Sequence, residues 1–370
     1  MTVFGDLKAK PVINAAATLT KLGGSLMPPE VIAAMQAASE RFVDLEDLQR
    51  RVGARLAKLT HNEATYVTTG AAAGIALSVI ACVAGQDRAA LQRLPDTTGL
   101  KNEVVVFKSH RNGYDHAVRM TGVTLVEIGS ETHTEPTELE AALNANTAAF
   151  VWFQGAMTGL GDFPIETVLA ICSARGVPVI VDAAAQLPPV ENLWRFTQLG
   201  AACAIFSGGK DLSGPQSSGL IVGRKDLIEA IRPLGSPNQG FARPMKVGKE
   251  EMVGLLAAVE RYLKLDHAAR LERDERIVAE WINLLGELEG VRAARSFPNE
   301  AGQPHPRCKL TLDSSARLGT QALIAALWDG DPAIAVNADE DGISLYLNPM
   351  TLNDDEAHIV AERLRVLLDS

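Results

Sequence analysis

Short apolar runs alternate with amphipathic segments through the middle of this chain. Between about residues 60 and 245, seven runs rich in β-branched and aromatic residues are separated by stretches whose apolar positions recur at helical spacing. Consecutive apolar positions indicate strands buried on both faces, as in a mostly parallel sheet. The predicted strands are residues 64–67, 104–107, 124–128, 149–153, 178–181, 202–206 and 219–222. Helices such as 165–175 between them make βαβ units, so we predict an α/β sheet covered on both sides.

The pattern differs at both ends of the chain. Near the start, Pro28 and Pro29 predict the beginning of a helix. Apolar residues then recur every three or four positions as the stripe of a second helix: Leu45, Leu48, Val52, Leu56 and Leu59. After the strand region, a stretch rich in Pro and Gly precedes further helices and strands. These are helices at about 249–265, 268–288, 320–328 and from 354, with strands at 309–312, 333–336 and 343–347.

A chain of 370 residues exceeds the size of one ordinary hydrophobic core. We therefore predict an N-terminal helical segment over residues 1–58, a large α/β domain over 59–245 and a small α+β C-terminal domain over 246–370.

Composition excludes several classes of protein. Apolar residues make up 47% and charged residues 22%, which is typical of a globular protein and not of a disordered one. The net charge of −10 argues against nucleic-acid binding, which needs a dense basic face. We see no signal peptide, no apolar run long enough to span a membrane and no metal-site spacing. Because Cys82, Cys172, Cys203 and Cys308 are far apart in apolar surroundings, we expect free thiols and a cytoplasmic protein.

A run of small residues marks the first candidate site. Thr68, Thr69 and Gly70 follow a predicted strand, and alanines begin the next helix. Small residues at such a turn let backbone N–H groups approach an anion, and the helix dipole favours negative charge. The same pattern is also typical of close packing between a helix and a strand. It is neither a dinucleotide fingerprint nor a Walker loop.

Two charged residues follow later strands. Asp182 ends the run at 178–181, where open α/β sheets bind ligands, although a turn or capping role fits an aspartate there equally well. Lys210 lies just past the run at 202–206, between Gly209 and a segment poor in helix formers. A plain loop lysine is the alternative. Together, an anion-binding turn, a strand-end carboxylate and a lysine are what pyridoxal 5′-phosphate requires: phosphate site, partner for the ring nitrogen and Schiff-base amine.

In the order and wording of these segments the chain resembles pyridoxal-phosphate enzymes of fold type I. More narrowly, it resembles the bacterial selenocysteine synthase (L-seryl-tRNA selenium transferase) family, and within it members like D-glucosaminate-6-phosphate ammonia-lyase. The segments that carry the resemblance are 11–15 (PVINA), 22–25 (LGGS), 70–71 (GA), 206–210 (FSGGK) and 214–216 (GPQ). It implies a mostly parallel seven-stranded sheet in a large domain, a small α+β C-terminal domain and a homodimer or higher homo-oligomer.

The resemblance also implies roles for single residues. It places the cofactor phosphate on the backbone N–H groups of Gly70, Ala71 and Ala72 and on the hydroxyl of Ser207. It pairs Asp182 with the ring nitrogen, packs Ala184 beneath the ring, stacks His110 on it and attaches the cofactor to Lys210. Gln216 lies in a loop that often reaches the partner's cofactor in this fold, and Arg243 is a candidate for the substrate carboxylate because a guanidinium can bind it through two hydrogen bonds. A surface histidine and a surface arginine are the alternatives for His110 and Arg243.

The function that this resemblance implies is that of a lyase. It would eliminate the β-group of a small hydroxylated amino acid and release ammonia and a 2-oxo acid. The acidic balance of charges favours such a substrate over a charged tRNA. An aldolase, a racemase, a selenium or amino transferase, and a non-catalytic paralogue are the alternatives.

Overall fold

The computed structural model describes residues 3–155 and 161–369. The described residues fall into two compact units. One is Met27–Lys264, and the other combines the two ends of the chain, Met1–Leu26 with Leu265–Ser370.

The strands of both units are short. In chain order they are β1 (Val12–Asn14), β2 (Ala64–Thr68), β3 (Glu103–Phe107), β4 (Thr124–Ile128), β5 (Thr147–Phe153), β6 (Val179–Asp182), β7 (Cys203–Ser207), β8 (Gly219–Gly223), β9 (Val291–Ser296), β10 (Arg307–Leu312), β11 (Ala333–Ala335), β12 (Asn337–Ala338) and β13 (Ser344–Leu347).

The helices range from four to 19 residues in length. They are α1 (Val3–Asp6), α2 (Pro29–Ser39), α3 (Leu45–Leu59), α4 (Ala71–Ala84), α5 (Arg88–Arg93), α6 (His116–Arg119), α7 (Pro136–Ala142), α8 (Ile165–Ala174), α9 (Asn192–Gln198), α10 (Lys225–Ile231), α11 (Lys249–Tyr262), α12 (His267–Leu285), α13 (Thr320–Asp329) and α14 (Asp354–Leu368).

The unit Met27–Lys264 is built on a seven-stranded sheet in the order β2-β8-β7-β6-β5-β3-β4. Strand β8 runs antiparallel to both of its neighbours, while the other pairings are parallel. Every residue of β5, β6 and β8 is buried, because these strands carry apolar side chains on both faces. The seven predicted strands are those of this sheet, which confirms the predicted mostly parallel α/β fold.

Helix α4 is the apolar helix that covers part of this sheet. Eleven of its 14 residues are buried, and its side chains belong to the core cluster that contains Ile180, Ile205 and Ile221. A Cβ at Gly74 would come within 2.8 Å of the side chain of Ile205. The small residue there allows the helix to pack directly on β7 and β8, which fixes where its N-terminus lies.

The other unit contains the four-stranded antiparallel sheet β12-β13-β10-β9 and the parallel pair β1–β11. Its core is formed by α12, α13 and α14 against this sheet, around the buried side chains of Trp281, Leu310 and Val360.

These units do not coincide with the predicted domains. Residues up to 26 belong with the C-terminal part, since β1 pairs with β11 and the backbone N–H of Ala15 donates to the carbonyl of Ala335. Helix α11 belongs with the large sheet, since it packs on α2 and α3. The predicted boundaries at residues 58 and 245 therefore fall inside Met27–Lys264. Composition changes mark where loops are, whereas pairing between distant segments decides which unit they join.

Candidate active site

Three strands of the large sheet end at one edge beside the start of β8. The register pairs Gly219, the first residue of β8, with Thr68 at the end of β2 and with Ser207 at the end of β7. Because β2, β6 and β7 run in the same direction, Asp182 at the end of β6 lies at this edge too. The edge is where open α/β sheets bind ligands.

The turn after β2 is shaped by glycine. Gly70 has φ +95°, which other residues rarely adopt, and it precedes the first turn of α4. The hydroxyl of Thr68 donates to the carbonyl of Gly70 at 2.8 Å. Ala71 is half-buried and Ala72 exposed, and the first turn carries no acidic residue. Its N–H groups have no partner within the helix, so the turn can bind an anion.

Strand β8 approaches this turn closely. A Cβ at Gly219 would lie 2.4 Å from the carbonyl carbon of Gly70 and 2.6 Å from the hydroxyl oxygen of Thr68. Only a residue without a side chain leaves both backbones in place. The contact also brings the Gly70 turn next to Ser207, the two groups predicted to share a phosphate.

Asp182 is a buried carboxylate, with 8% of its surface exposed. Its Oδ1 accepts a hydrogen bond from the backbone N–H of Ala184 at 3.0 Å, and the carbonyl of Ala184 accepts from the N–H of Ser207 at 3.2 Å. Burial raises the pKa of Asp182, while the Ala184 N–H and the charge of Lys210 act to lower it. A cation placed against Asp182 would offset its burial, so the protonated ring nitrogen of pyridoxal phosphate fits this position.

Lys210 lies in the turn that follows β7 and is half-buried. The turn is held by backbone hydrogen bonds: the N–H of Ser213 donates to the carbonyl of Lys210 at 2.9 Å, and that of Gly214 to the carbonyl of Gly208 at 2.8 Å. Lys210 is near enough to Asp182 for its positive charge to act on the carboxylate and lower its pKa.

The glycines before Lys210 make room for the loop that comes back after it. A Cβ at Gly208 would lie 2.0 Å from the hydroxyl oxygen of Ser218, and one at Gly209 would lie 2.7 Å from the Cα of Gln216. Gln216 is exposed, and its Oε1 lies 2.8 Å from that same Cβ position at Gly209. The loop therefore packs directly on the lysine turn.

His110 is fully buried in an aromatic environment. It contacts the rings of Phe107 and Trp152 edge to face, with centroids 5.1 and 4.6 Å away. Its Nε2 lies 3.7 Å from Oδ2 of Asp162, and neither ring nitrogen has a hydrogen-bond partner among the described residues. Burial lowers the pKa of His110 to about 4 against the opposing charge of Asp162. A cofactor ring could stack on this imidazole only after neighbouring side chains move, and the stacking role stays a prediction.

Arg243 lies on the surface, and its backbone N–H donates to the carbonyl of Gly240. A cavity of about 470 Å³ is lined by Thr69, Ser217 and Lys246, among others. Lys246 follows Arg243 by three positions in the chain. Arg243 itself does not line the cavity. Sequence reasoning did not single out Lys246, although it lies in the same irregular segment.

Asp162 is a second residue that sequence reasoning missed. Its side chain is fully buried, its Oδ2 accepts from the hydroxyl of Ser109, and its Oδ1 has no partner among the described residues. It lies 52 positions after His110 in the chain, so no local pattern could have joined the two.

Within residues 3–155 and 161–369, no three His, Cys, Asp or Glu side chains are grouped as metal ligands. Among the described helices, none is long and apolar enough to cross a membrane.

The chain is similar to known proteins over almost its whole length. The sequence profile described as "SelA: L-seryl-tRNA selenium transferase" matches residues 12–279. The chain is 36% identical to a 5′-C-glycyluridine monooxygenase-decarboxylase from a Streptomyces species, over 99% of this chain and 92% of that protein. It is 33% identical to the D-glucosaminate-6-phosphate ammonia lyase of Salmonella typhimurium, over 99% of this chain and 98% of that protein.

Solved structures agree. A structure of D-glucosaminate-6-phosphate ammonia-lyase superposes with a TM-score of 0.86 at 32% identity, covering 100% of this chain and 98% of that one. Serine palmitoyltransferase from Sphingomonas wittichii, at 14% identity and a TM-score of 0.61 over 96% of this chain and 86% of that one, shares the fold alone. These matches confirm the predicted fold type and pyridoxal phosphate as the cofactor. The ammonia-lyase relatives support the predicted class of enzyme, a pyridoxal-phosphate-dependent lyase.

Proposed function

Because the chain belongs to the L-seryl-tRNA selenium transferase family, we propose that it uses pyridoxal phosphate to deaminate a small hydroxylated amino acid. The substrate would lose its α-proton and β-hydroxyl as water, and the product would take up water and release ammonia, leaving a 2-oxo acid. The observation that carries this proposal is the full-length similarity to an ammonia lyase. The pair of Asp182 and Lys210 at one sheet edge supports it.

The described residues supply a place for each part of the cofactor. The N–H groups of Gly70, Ala71 and Ala72 and the hydroxyl of Ser207 would bind its phosphate, since the register brings the Gly70 turn and Ser207 together. Asp182 would pair with the ring nitrogen, and Ala184, which donates to Asp182, would pack beneath the ring.

The remaining predicted roles concern attachment, stacking and the substrate. When bound, pyridoxal phosphate supplies an aldehyde that condenses with amines and a cationic ring that accepts electrons from the substrate α-carbon. Lys210 would hold it between turnovers, Gln216 would contact it, and His110 would stack on it. Arg243 would bind the substrate carboxylate, because its exposed guanidinium can reach a ligand without losing a described partner.

During turnover, the amine of Lys210 moves the protons. Once substrate has replaced it, the Nζ atom takes the proton from the α-carbon and holds it as an ammonium. The same Nζ then donates that proton to the β-hydroxyl, which is a poor leaving group unless it departs as water. With the cofactor bound, Asp182 would be ionised and would hold the proton on the ring nitrogen.

We also propose that the protein is a homodimer and that it is cytoplasmic. A homodimer is supported by the resemblance, and the exposed side chains of Phe42 and Val43 offer apolar surface that a second copy would cover. A cytoplasmic location is supported by four free thiols at Cys82, Cys172, Cys203 and Cys308.

The relative at 36% identity favours a second candidate function, oxygen-dependent decarboxylation of a hydroxylated amino acid. The two functions differ in their requirements and products. Deamination needs no oxidant and keeps the carboxylate, whereas decarboxylation by a monooxygenase consumes O₂ and releases CO₂.

The test uses the holoenzyme with D-glucosaminate and D-glucosaminate 6-phosphate, each labelled with deuterium at the α-carbon, under argon and under air. We expect equal ammonia and 2-oxo acid in both atmospheres, with the label lost to solvent, and no product from Lys210→Ala. Turnover only in air, with CO₂ released, would establish the second function. An aldehyde together with a product that keeps the label would establish an aldolase.

A further inference from the structure

Buried polar atoms without a hydrogen-bond partner lie close together at one place in the unit Met27–Lys264. Among the described residues, both ring nitrogens of His110, Oδ1 of Asp162 and Oγ1 of Thr134 have no partner. Asp162 pairs with Thr134 in an isolated parallel bridge, and its Oδ2 lies 3.7 Å from Nε2 of His110. Buried polar groups in folded proteins are nearly always paired, so this cluster requires an explanation.

Asp162 can supply the partner that the imidazole of His110 needs. Both side chains are fully buried, and a carboxylate left unpaired away from water is costly. A hydrogen bond requires a separation of roughly 2.7–3.2 Å, so a movement of about 0.5–1 Å would form one. Because a carboxylate only accepts, this bond would hold the proton of a neutral imidazole on Nε2 and leave Nδ1 without one.

Ser109 holds the carboxylate from the other side. Its hydroxyl donates to Oδ2 of Asp162, the same oxygen that faces His110. An oxygen that already accepts one hydrogen bond attracts the proton of the imidazole less strongly.

The surroundings of His110 keep its imidazole neutral near pH 7. Phe107 at the end of β3 and Trp152 on β5 pack against it with uncharged rings. Among the described residues, Asp162 is the charged group that acts on the pKa of His110, and burial nevertheless lowers that pKa to about 4. A neutral imidazole avoids the repulsion that an imidazolium would meet from a cationic cofactor ring. A hydrogen bond at Nε2 lies in the plane of the imidazole and leaves its faces for ring contacts.

From these contacts we infer that Asp162 is a positioning residue for His110. Through a hydrogen bond to Nε2, and held by Ser109, it fixes the tautomer and the orientation of the imidazole on which the cofactor ring stacks. The inference rests on the proposed function for the stacking, and it gives a role to a buried carboxylate that the reaction itself does not use.

Nitrogen NMR of the holoenzyme with ¹⁵N-labelled histidine tests the inference, because the two imidazole tautomers have different nitrogen shifts. The signals of His110 are those that His110→Gln lacks, and we expect the Nε2–H tautomer. In Asp162→Asn the amide oxygen would accept from Ser109 and the amide nitrogen would donate to Nε2, so the Nδ1–H tautomer should replace it. Asp96→Asn, at an exposed aspartate outside this cluster, should leave the signals unchanged.

Ser109→Ala gives a second readout, which also serves if Asp162→Asn does not fold. The carboxylate is kept, so the Nε2–H tautomer should stay, while the pKa of His110 should rise above about 4 because Oδ2 is no longer shared. The same tautomer in Asp162→Asn as in the unmodified protein would overturn the inference. So would an unchanged pKa of His110 in Ser109→Ala.

Cofactor affinity then shows whether Asp162 acts through His110. Pyridoxal phosphate should bind roughly three- to tenfold more weakly to His110→Gln, as the loss of one ring contact predicts. Adding Asp162→Asn to that variant should weaken binding little further, and independent, additive losses would overturn the inference. If the tautomer changes as expected but His110→Gln binds the cofactor normally, Asp162 still positions His110 and the stacking in the proposed function fails.

Discussion

Asp182 is a buried carboxylate whose charge depends on what lies beside it. Burial raises its pKa, and the Ala184 N–H and Lys210 offset only part of that shift. A cationic ring nitrogen would add a second positive charge at short range and favour the carboxylate further. Removing the carboxylate should therefore affect cofactor binding far more than folding.

We expect Asp182→Asn to bind pyridoxal phosphate more weakly by about 3–5 kcal/mol, the cost of leaving a buried charge without its partner. Equilibrium dialysis, with the bound cofactor measured by its absorbance, gives the affinity for pyridoxal phosphate. Far-UV circular dichroism checks that the fold is kept. An affinity equal to that of the unmodified protein would mean that Asp182 only terminates β6 and orders the turn through Ala184.

Lys210 can be tested by its covalent chemistry. We expect Lys210→Ala to lose turnover while keeping its circular dichroism spectrum, because the amine that attaches the cofactor and moves the α-proton is gone. After borohydride reduction, mass spectrometry should find the cofactor mass on the unmodified chain and not on the variant. Lys225→Ala, which changes an exposed lysine at the start of α10, is the control and should still be labelled. Labelling of Lys210→Ala would assign the attachment to another lysine.

The lowered pKa of His110 predicts that the free energy of unfolding falls in acid. Its pKa is about 4 in the folded protein because of burial, against an ordinary value of about 6.5 in the unfolded chain. Between these pH values the unfolded chain binds more protons, so the free energy of unfolding falls as the pH is lowered through this window and is fully restored above it. The expected loss from pH 6.5 to pH 4 is about 3 kcal/mol.

Urea unfolding of the unmodified protein and of His110→Gln at several pH values measures this loss. The variant should lack that part of the acid-induced destabilisation, whereas His358→Gln, at an exposed histidine of α14, should keep it. Parallel pH profiles for His110→Gln and the unmodified protein would show that Asp162, 3.7 Å away, holds the imidazole protonated.

Site residues could be predicted from the sequence where the residues next to them in the chain indicate their role. Gly70, Asp182 and Lys210 each lie next to a strand end, so a short stretch of sequence predicted both their place and their chemistry. Asp162 carries no such signal, since its significance comes from contacts with residues far away in the chain.

Among the elements, strands with unbroken apolar sequences were predicted, and strands without them were missed. All seven strands of the large sheet were predicted, because burial on both faces requires unbroken apolar runs. Strand β9, with the sequence VRAARS, was missed: only its first residue is buried, and its arginines hide any alternation. Strand β1 is three residues long and depends on its distant partner β11.

The contact between β8 and the Gly70 turn supports a prediction about elements. Gly219→Ala would place a methyl group 2.4 Å from the carbonyl carbon of Gly70 and push the N-terminus of α4 away from the edge of the sheet. We expect the free energy of unfolding to fall by about 1–3 kcal/mol, as in other overpacked sites, and the affinity for pyridoxal phosphate to fall with it. Gly113→Ala, where a Cβ would meet nothing within 4 Å, is the matched control. Normal cofactor affinity in Gly219→Ala would show that the turn does not depend on this contact.

On the scale of the whole molecule, the net charge argues against the tRNA binding that the family name suggests. Relatives named L-seryl-tRNA(Sec) selenium transferase match it at 28% identity or less among those compared, against 33% for the ammonia lyase. Its 45 acidic and 35 basic side chains leave a net charge of −10. Binding to tRNA depends on lysines and arginines that neutralise phosphates, and a net negative protein repels the remainder of the polyanion.

We therefore predict that the holoenzyme does not bind tRNA. In gel-shift titrations at about 50 mM salt, where phosphate contacts are strongest, tRNA should remain unshifted up to roughly micromolar protein. Addition of seryl-tRNA should also leave the deamination rate of a hydroxylated amino acid unchanged, because the two would not compete for the site. A basic DNA- or RNA-binding protein at the same concentration serves as the positive control for the gel. A complex that weakens steeply as salt is raised would contradict the prediction, since that slope counts the phosphates neutralised and would reveal a basic surface despite the net charge.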